Sequence, residues 1–284
     1  MYNNLFSSEG DPMFAQTLPT QPADLTQPLQ PALRPIPFWL SLLLFFVPAL
    51  GLVWAFYAFR PWLENQGYDS LTSLLAAMTI PLALLFAAAL IAYRRLDGYP
   101  LEAPIFRQRM RFPRLTVRQM LWGLGLGVAC LLSYGLFSSI SLVLIEAGFI
   151  HLPVKLPILV DPHVTFSPTI LNQAAGGVIR GRWDIAVLYL VMFFFNIAGE
   201  ELWWRGYILP RQELVHGRAT WLVHGLLWAL FHVYKWWDIL NLLPLCLLIS
   251  LASQRLKTNW PGLIAHTLVN GISLLLILFA VIGF

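Results

Sequence analysis

The sequence predicts an all-α fold: a polytopic membrane helix bundle of about seven transmembrane helices, with six and eight as the bounds. Three observations carry this. Hydrophobic residues make up 58% of the 284 and charged residues 11%, whereas a soluble domain carries roughly 25% charged residues. Apolar runs approaching the roughly 20 residues that cross a bilayer core recur along the chain. Basic residues collect on one side of the expected spans, as membrane topology requires.

Taken in order, residues 1–35 are polar and rich in Pro, Gln and Thr. Such a composition buries too little apolar surface to order itself, and a disordered cytoplasmic tail is expected. The tail lacks the basic start and early apolar core of a cleavable signal peptide, so the first span should persist as an anchor. Phe38–Phe59 and Leu71–Tyr93 are the first two spans, with internal Pro48 and Pro81 as candidate kinks. In the third, Met120–Ile145, Gly123, Gly125 and Gly127 would let a neighbouring helix approach closely. The connection Glu146–Asp184, with four prolines and Gly176-Gly177, reads as an irregular excursion that links spans or shapes an entrance. Ile185–Tyr207, Trp221–Trp237, the short Ile239–Ala252 and Trp260–Phe284 complete the set. Trp62, Trp122, Trp183, Trp236, Trp237 and Trp260 lie near span ends, where interfacial anchors belong. Cys130 and Cys246 fall inside apolar runs, in no CxxC pattern, and read as buried small residues.

Charge sets the orientation. The connection after the second span holds Arg94, Arg95, Arg107, Arg109, Arg111, Arg114 and Arg118. Placing it in the cytoplasm puts the N-terminus inside and the C-terminus outside. Only Arg60, Lys155, Arg180, Arg182 and Lys235 then lie outside, and the other 13 of 18 basic residues lie inside. The arginine segment is expected to meet anionic lipid, and the net charge of +4 calls for no nucleic-acid partner.

Polar residues in the last hundred positions carry the chemistry. A charge in or beside a bilayer core costs several kcal/mol unless paired or hydrated, so such groups are kept for function. Glu201 and Arg205 are i,i+4 on a helix and can pair on one face. Glu200, rotated about 100° away, is left free to face a cavity. A carboxylate buried there suits a general base. His232 follows on the next helix, with His224 two turns earlier as a structural partner or second candidate. His266 and Asn270, again i,i+4, make a donor pair for a developing oxyanion or an interhelical clasp. Zinc held by the histidines and a carboxylate is the rival within catalysis, but HExxH spacing is absent. Counting 1.5 Å per residue, His266 lies about 10 Å into its span and His232 about 16 Å into its own. The three sites meet only if the fifth helix starts deeper, tilts, or follows an interfacial stretch at Leu209–Ala219.

These motifs, in this order on three helices, resemble the CAAX protease and bacteriocin-processing (Abi) family, which includes the type II CAAX prenyl endopeptidases. The family pattern is Glu-Glu-x-x-x-Arg, Phe-x-x-x-His and His-x-x-x-Asn. Here Glu200-Glu201 with Arg205, His232, and His266 with Asn270 meet it, while Trp228 stands where Phe is expected. The resemblance covers roughly residues 185–284, which would form the catalytic membrane core; residues 36–184 would be N-terminal membrane helices and their connections. It implies a glutamate-dependent intramembrane endopeptidase in a bacterial plasma membrane, its cavity open toward the cytoplasm. Glu200 would act as base on a water that His232 helps hold, His266 and Asn270 would stabilise the oxyanion, and Glu201 and Arg205 would support the site. No metal or other cofactor and no acyl-enzyme is implied. The substrate would be a membrane-associated protein or peptide, prenylated or not. A scaffold or immunity protein on the same fold is the alternative, and a transporter a more distant one, since its polar residues would be spread along a path through repeated halves.

Overall fold

The computed structural model describes residues 33–283, and all regular structure among them is helical. The expected tail falls largely outside the described residues. Helices α1 (Phe38–Asn65), α2 (Ser70–Leu96) and α4 (Val117–Glu146) are long and apolar enough to cross a membrane, with the short α3 (Ala103–Arg109) between the last two. A connection containing α5 (Pro168–Ala174) leads to one helical run, Trp183–Phe231, of 49 residues. It comprises α6 (Trp183–Glu200), a π-helical segment (Glu201–Ile208), α7 (Leu209–His216) and α8 (Thr220–Phe231). Then come α9 (Ile239–Leu256) and α10 (Trp260–Ile282).

Among the described residues six stretches qualify as spans by length and composition, against the seven expected. The difference lies in the fourth and fifth. The chain reverses near Gly217, whose positive φ of 54° suits a residue without a Cβ. The α8 arm then runs back along α7 and the π segment, as the pairs Gln212–His224 and Trp204–Phe231 record. With 12 residues, α8 rises only about 18 Å, short of a ~30 Å core.

Polar ties sort the helix ends onto two faces. On the arginine face, Arg211 pairs with Asp97, Arg111 and Lys257 both pair with Glu213, and the Ile36 amide donates to the Arg211 carbonyl. On the other face, Arg182 pairs with Asp69 at 3.3 Å, the Gly181 amide reaches the Val281 carbonyl at 2.8 Å, and Trp236 donates to the His151 carbonyl at 2.8 Å. The chain therefore starts its first span on the arginine face and ends its last on the opposite one.

Packing rests on close approaches. A Cβ on Gly199 would lie 2.9 Å from the Leu82 carbonyl, so α6 and α2 meet backbone to backbone there. Of the three glycines on α4, Gly123 and Gly127 face α10, with a Cβ 2.7 Å from Ile264 and 2.8 Å from Leu268; Gly125 faces open space. Both cysteines are free and buried. Among the tryptophans expected as anchors, Trp62, Trp122, Trp183 and Trp236 are exposed, whereas Trp237 is buried in the core.

The glycine contacts give a paired test. Gly123→Leu should destabilise the bundle by about 1–3 kcal/mol through overpacking, while Gly125→Leu should stay within about 0.5 kcal/mol. Thermal unfolding of both variants in one detergent measures the contrast.

Candidate active site

The site is built from three separated stretches. At the junction of α6 and the π segment, Glu200 and Glu201 are both buried. Arg205 donates from Nε to Glu201 Oε2 at 3.0 Å and from Nη2 to Oε1. The i,i+4 pairing expected of an α-helix thus persists in the wider π turn. His266 on α10 joins it, its Nδ1 2.9 Å from Glu201 Oε1. Gly262, one turn earlier, lies beside that carboxylate and packs closely on α9, where a Cβ would come within 3.1 Å of Ile249 and Ser253. Arg205 Nη1 makes no hydrogen bond; its guanidinium carbon lies 3.8 Å from the centre of the Trp228 ring on α8, a cation–π stack.

Glu200 points the other way, as its rotation on the helix predicts. Trp228 Nε1 donates to Oε2 at 2.6 Å, and Asn196 Nδ2 donates to Oε1 at 2.8 Å. Each oxygen keeps a further lone pair. His232 ends α8, and its Nδ1 lies 2.9 Å from the Trp228 carbonyl, one of the carbonyls a helix end leaves without an internal partner. A carbonyl only accepts, so the proton sits on Nδ1 and Nε2 carries the lone pair.

Asn270 donates to Asn196 Oδ1 at 2.6 Å and lies 3.2 Å from His266 Nε2. With Glu201 accepting from Nδ1, His266 Nε2 accepts from Asn270. Asn196 therefore bridges Glu200 to Asn270. It lies four residues before Glu200 within the apolar run, the same spacing that marked Glu201 and Arg205, and sequence reasoning passed it over. His224 is a structural partner: it is fully buried, 2.6 Å from Gln212 Oε1, and packs edge-on against Phe45. A second unanticipated cluster braces α4 against α9, where Asp238 accepts from Tyr134, Lys235 and Asn241 at 2.7–2.9 Å.

Glu200, His232, His266, Asn270, Asn196 and Trp228 all border one cavity of about 500 Å³. Glu201 and Arg205 lie behind it. Depth is reconciled because helix continues past Glu200 through the eight-residue π segment and reaches the arginine face only in α7, where Arg211 meets Asp97. Leu209–Gln212 in that continuation are buried, so the expected interfacial stretch is in part a core helix. The start of α10 is drawn inward as well: Asn259 donates to the Met110 carbonyl, and Met110 packs against Gly206. Among the described residues no group of three or more His, Cys, Asp or Glu side chains is arranged to hold a metal ion.

No curated protein and no solved structure matches this chain. A family model does match, over residues 182–272, and its description is Type II CAAX prenyl endopeptidase Rce1-like. That third of the chain contains the one carboxylate, both histidines and both asparagines that border the cavity, with Glu201 and Arg205 behind them, and it bears out the resemblance that the three motifs suggest. The stretch that builds the polar cluster is thus similar to the Rce1-like type II CAAX prenyl endopeptidases.

Proposed function

We propose that this chain is an intramembrane endopeptidase that hydrolyses a peptide bond in a membrane-associated protein or peptide, with Glu200 as general base. The observation that supports it most is convergence. Four polar side chains from three motifs border one cavity inside an apolar bundle, at a cost that a purely structural helix bundle has no reason to bear.

In this reading a water sits between Glu200 and His232. Glu200 keeps lone pairs free of its two clamps, and the unprotonated Nε2 of His232 orients the water as an acceptor. Glu200 takes a proton as the water oxygen attacks the scissile carbonyl carbon, and hands it to the departing amine. The Asn270 amide proton now directed at His266 turns to the substrate oxygen as charge develops there. His266, fixed by Glu201 through Nδ1, holds Asn270 in place for that turn. Both protein groups return to their starting state, and the products are a carboxylic acid and an amine.

Two sets of variants test this, using quenched apolar peptides and protein reconstituted in lipid vesicles. Glu200→Gln should lower the cleavage rate by about 10²–10⁴-fold while the protein still folds, with a small drop in thermal stability because the amide nitrogen cannot accept from Trp228 or Asn196. Undiminished cleavage by that folded variant would refute the assigned base. Trp228→Phe keeps a ring for Arg205 to stack on and removes only the N–H, so the protein should fold while activity drops about 10- to 100-fold, as loss of a charged hydrogen bond worth about 1.5–3 kcal/mol implies. Arg205→Ala instead leaves Glu201 buried without its cation, held only by His266, and should lose about 3–5 kcal/mol of stability.

A further inference from the structure

The cavity is one-sided. Its polar end is formed by Glu200, Trp228 and His266; from there its wall climbs along α2 to Leu71, along α10 to Ile277, and to Leu159 and Phe166 of the 147–182 connection. These last four positions all belong to the face opposite the arginines, where Asp69 meets Arg182 and Gly181 meets Val281. No bordering residue comes from residues 94–118, 209–219 or 255–260. On that side the floor is sealed by the Glu201–Arg205–His266 group, by Met110 against Gly206, and by Asn259 on the Met110 carbonyl. The sequence led us to expect an opening toward the cytoplasm; the cavity wall extends the other way from the arginine segment.

Charge then assigns the faces. The arginine face carries all seven arginines of residues 94–118, together with Arg211, Arg218, Arg255 and Lys257. Three of the few basic groups opposite are neutralised locally, Arg60 by Glu64, Arg182 by Asp69 and Asp184, and Lys235 by Asp238. Basic residues flanking short spans mark the cytoplasmic side. We infer that the cavity admits its substrate from the non-cytoplasmic face, and that the substrate is an unwound, apolar stretch of a membrane-anchored protein displayed there. Apolar walls, among them Leu75, Met78, Phe193 and Leu242, suit such side chains, and about 500 Å³ is the size of a small-ligand site rather than of a docked domain. The identity of the guest as substrate rests on the endopeptidase reading; the side of entry does not.

Sided labelling tests the inference. Single cysteines at Phe166, Ser273 and Arg114, in a background with Cys130 and Cys246 changed to Ala, are exposed to a membrane-impermeant maleimide in sealed right-side-out and inverted vesicles. Phe166→Cys and Ser273→Cys should react at least tenfold faster in right-side-out vesicles, and Arg114→Cys in inverted ones. Reaction of Ser273→Cys from the Arg114 side, or its failure to react from the Phe166 side, would overturn the proposal. So would faster labelling of Phe166→Cys in inverted vesicles. A quenched apolar peptide added outside should be cleaved at least tenfold faster by right-side-out vesicles; faster cleavage by inverted vesicles would contradict the inference. Absence of cleavage in both would count against hydrolysis alone, since the labelling still decides the side of entry.

Discussion

The buried ion pair of Glu201 and Arg205 is the constraint on which the site depends. A carboxylate and a guanidinium removed from water survive only if nearly every polar atom finds a partner. Glu201 finds Arg205 and His266, and Arg205 finds Glu201 and the face of Trp228. The pair therefore ties the π segment to α8 and α10. Because Glu201 and Arg205 occupy one side of the chain, Glu200 is turned to the other, where Trp228 and Asn196 hold it at the cavity. Trp228 serves both sides, its ring stacking on the support and its N–H fixing the carboxylate in front.

Most of the architecture was legible because a bilayer forces it. Apolar runs and interruptions marked the order of the helices, and arginine clustering marked one face of the bundle. The three motifs were legible because charge inside apolar sequence is costly, and their i,i+4 spacings named the partners within each helix. What escaped depended on contacts between segments. Nothing local distinguishes α8, a 12-residue arm, from a full span, since its composition is equally apolar. Gly125 matched the spacing of its neighbours yet faces open space. The indole N–H of Trp228 aimed at Glu200 joins residues 28 positions apart in sequence. Asn196 was accessible to the spacing argument but lacks a charge and drew no attention.

The direction of the cavity was hidden for the same reason. Sequence gives the depth of a polar residue along its own helix and nothing about which end of the bundle is filled. Here Met110 and Asn259 draw the arginine-bearing connection inward and close that end. Residues that serve topology in the sequence thus serve as the floor of the site in the fold. The family match concerns the segment that carries the polar cluster; the far wall of the cavity is shaped largely by helices outside that segment.

The central claim is that Glu200 in this arrangement cuts peptide bonds. Its most direct test compares new protein termini in membranes of cells expressing the wild type or Glu200→Ala at matched levels. The account predicts a set of termini present only with the wild type, in membrane-anchored proteins. Indistinguishable termini, with both proteins folded and inserted, would contradict it and leave the bundle as a binding scaffold.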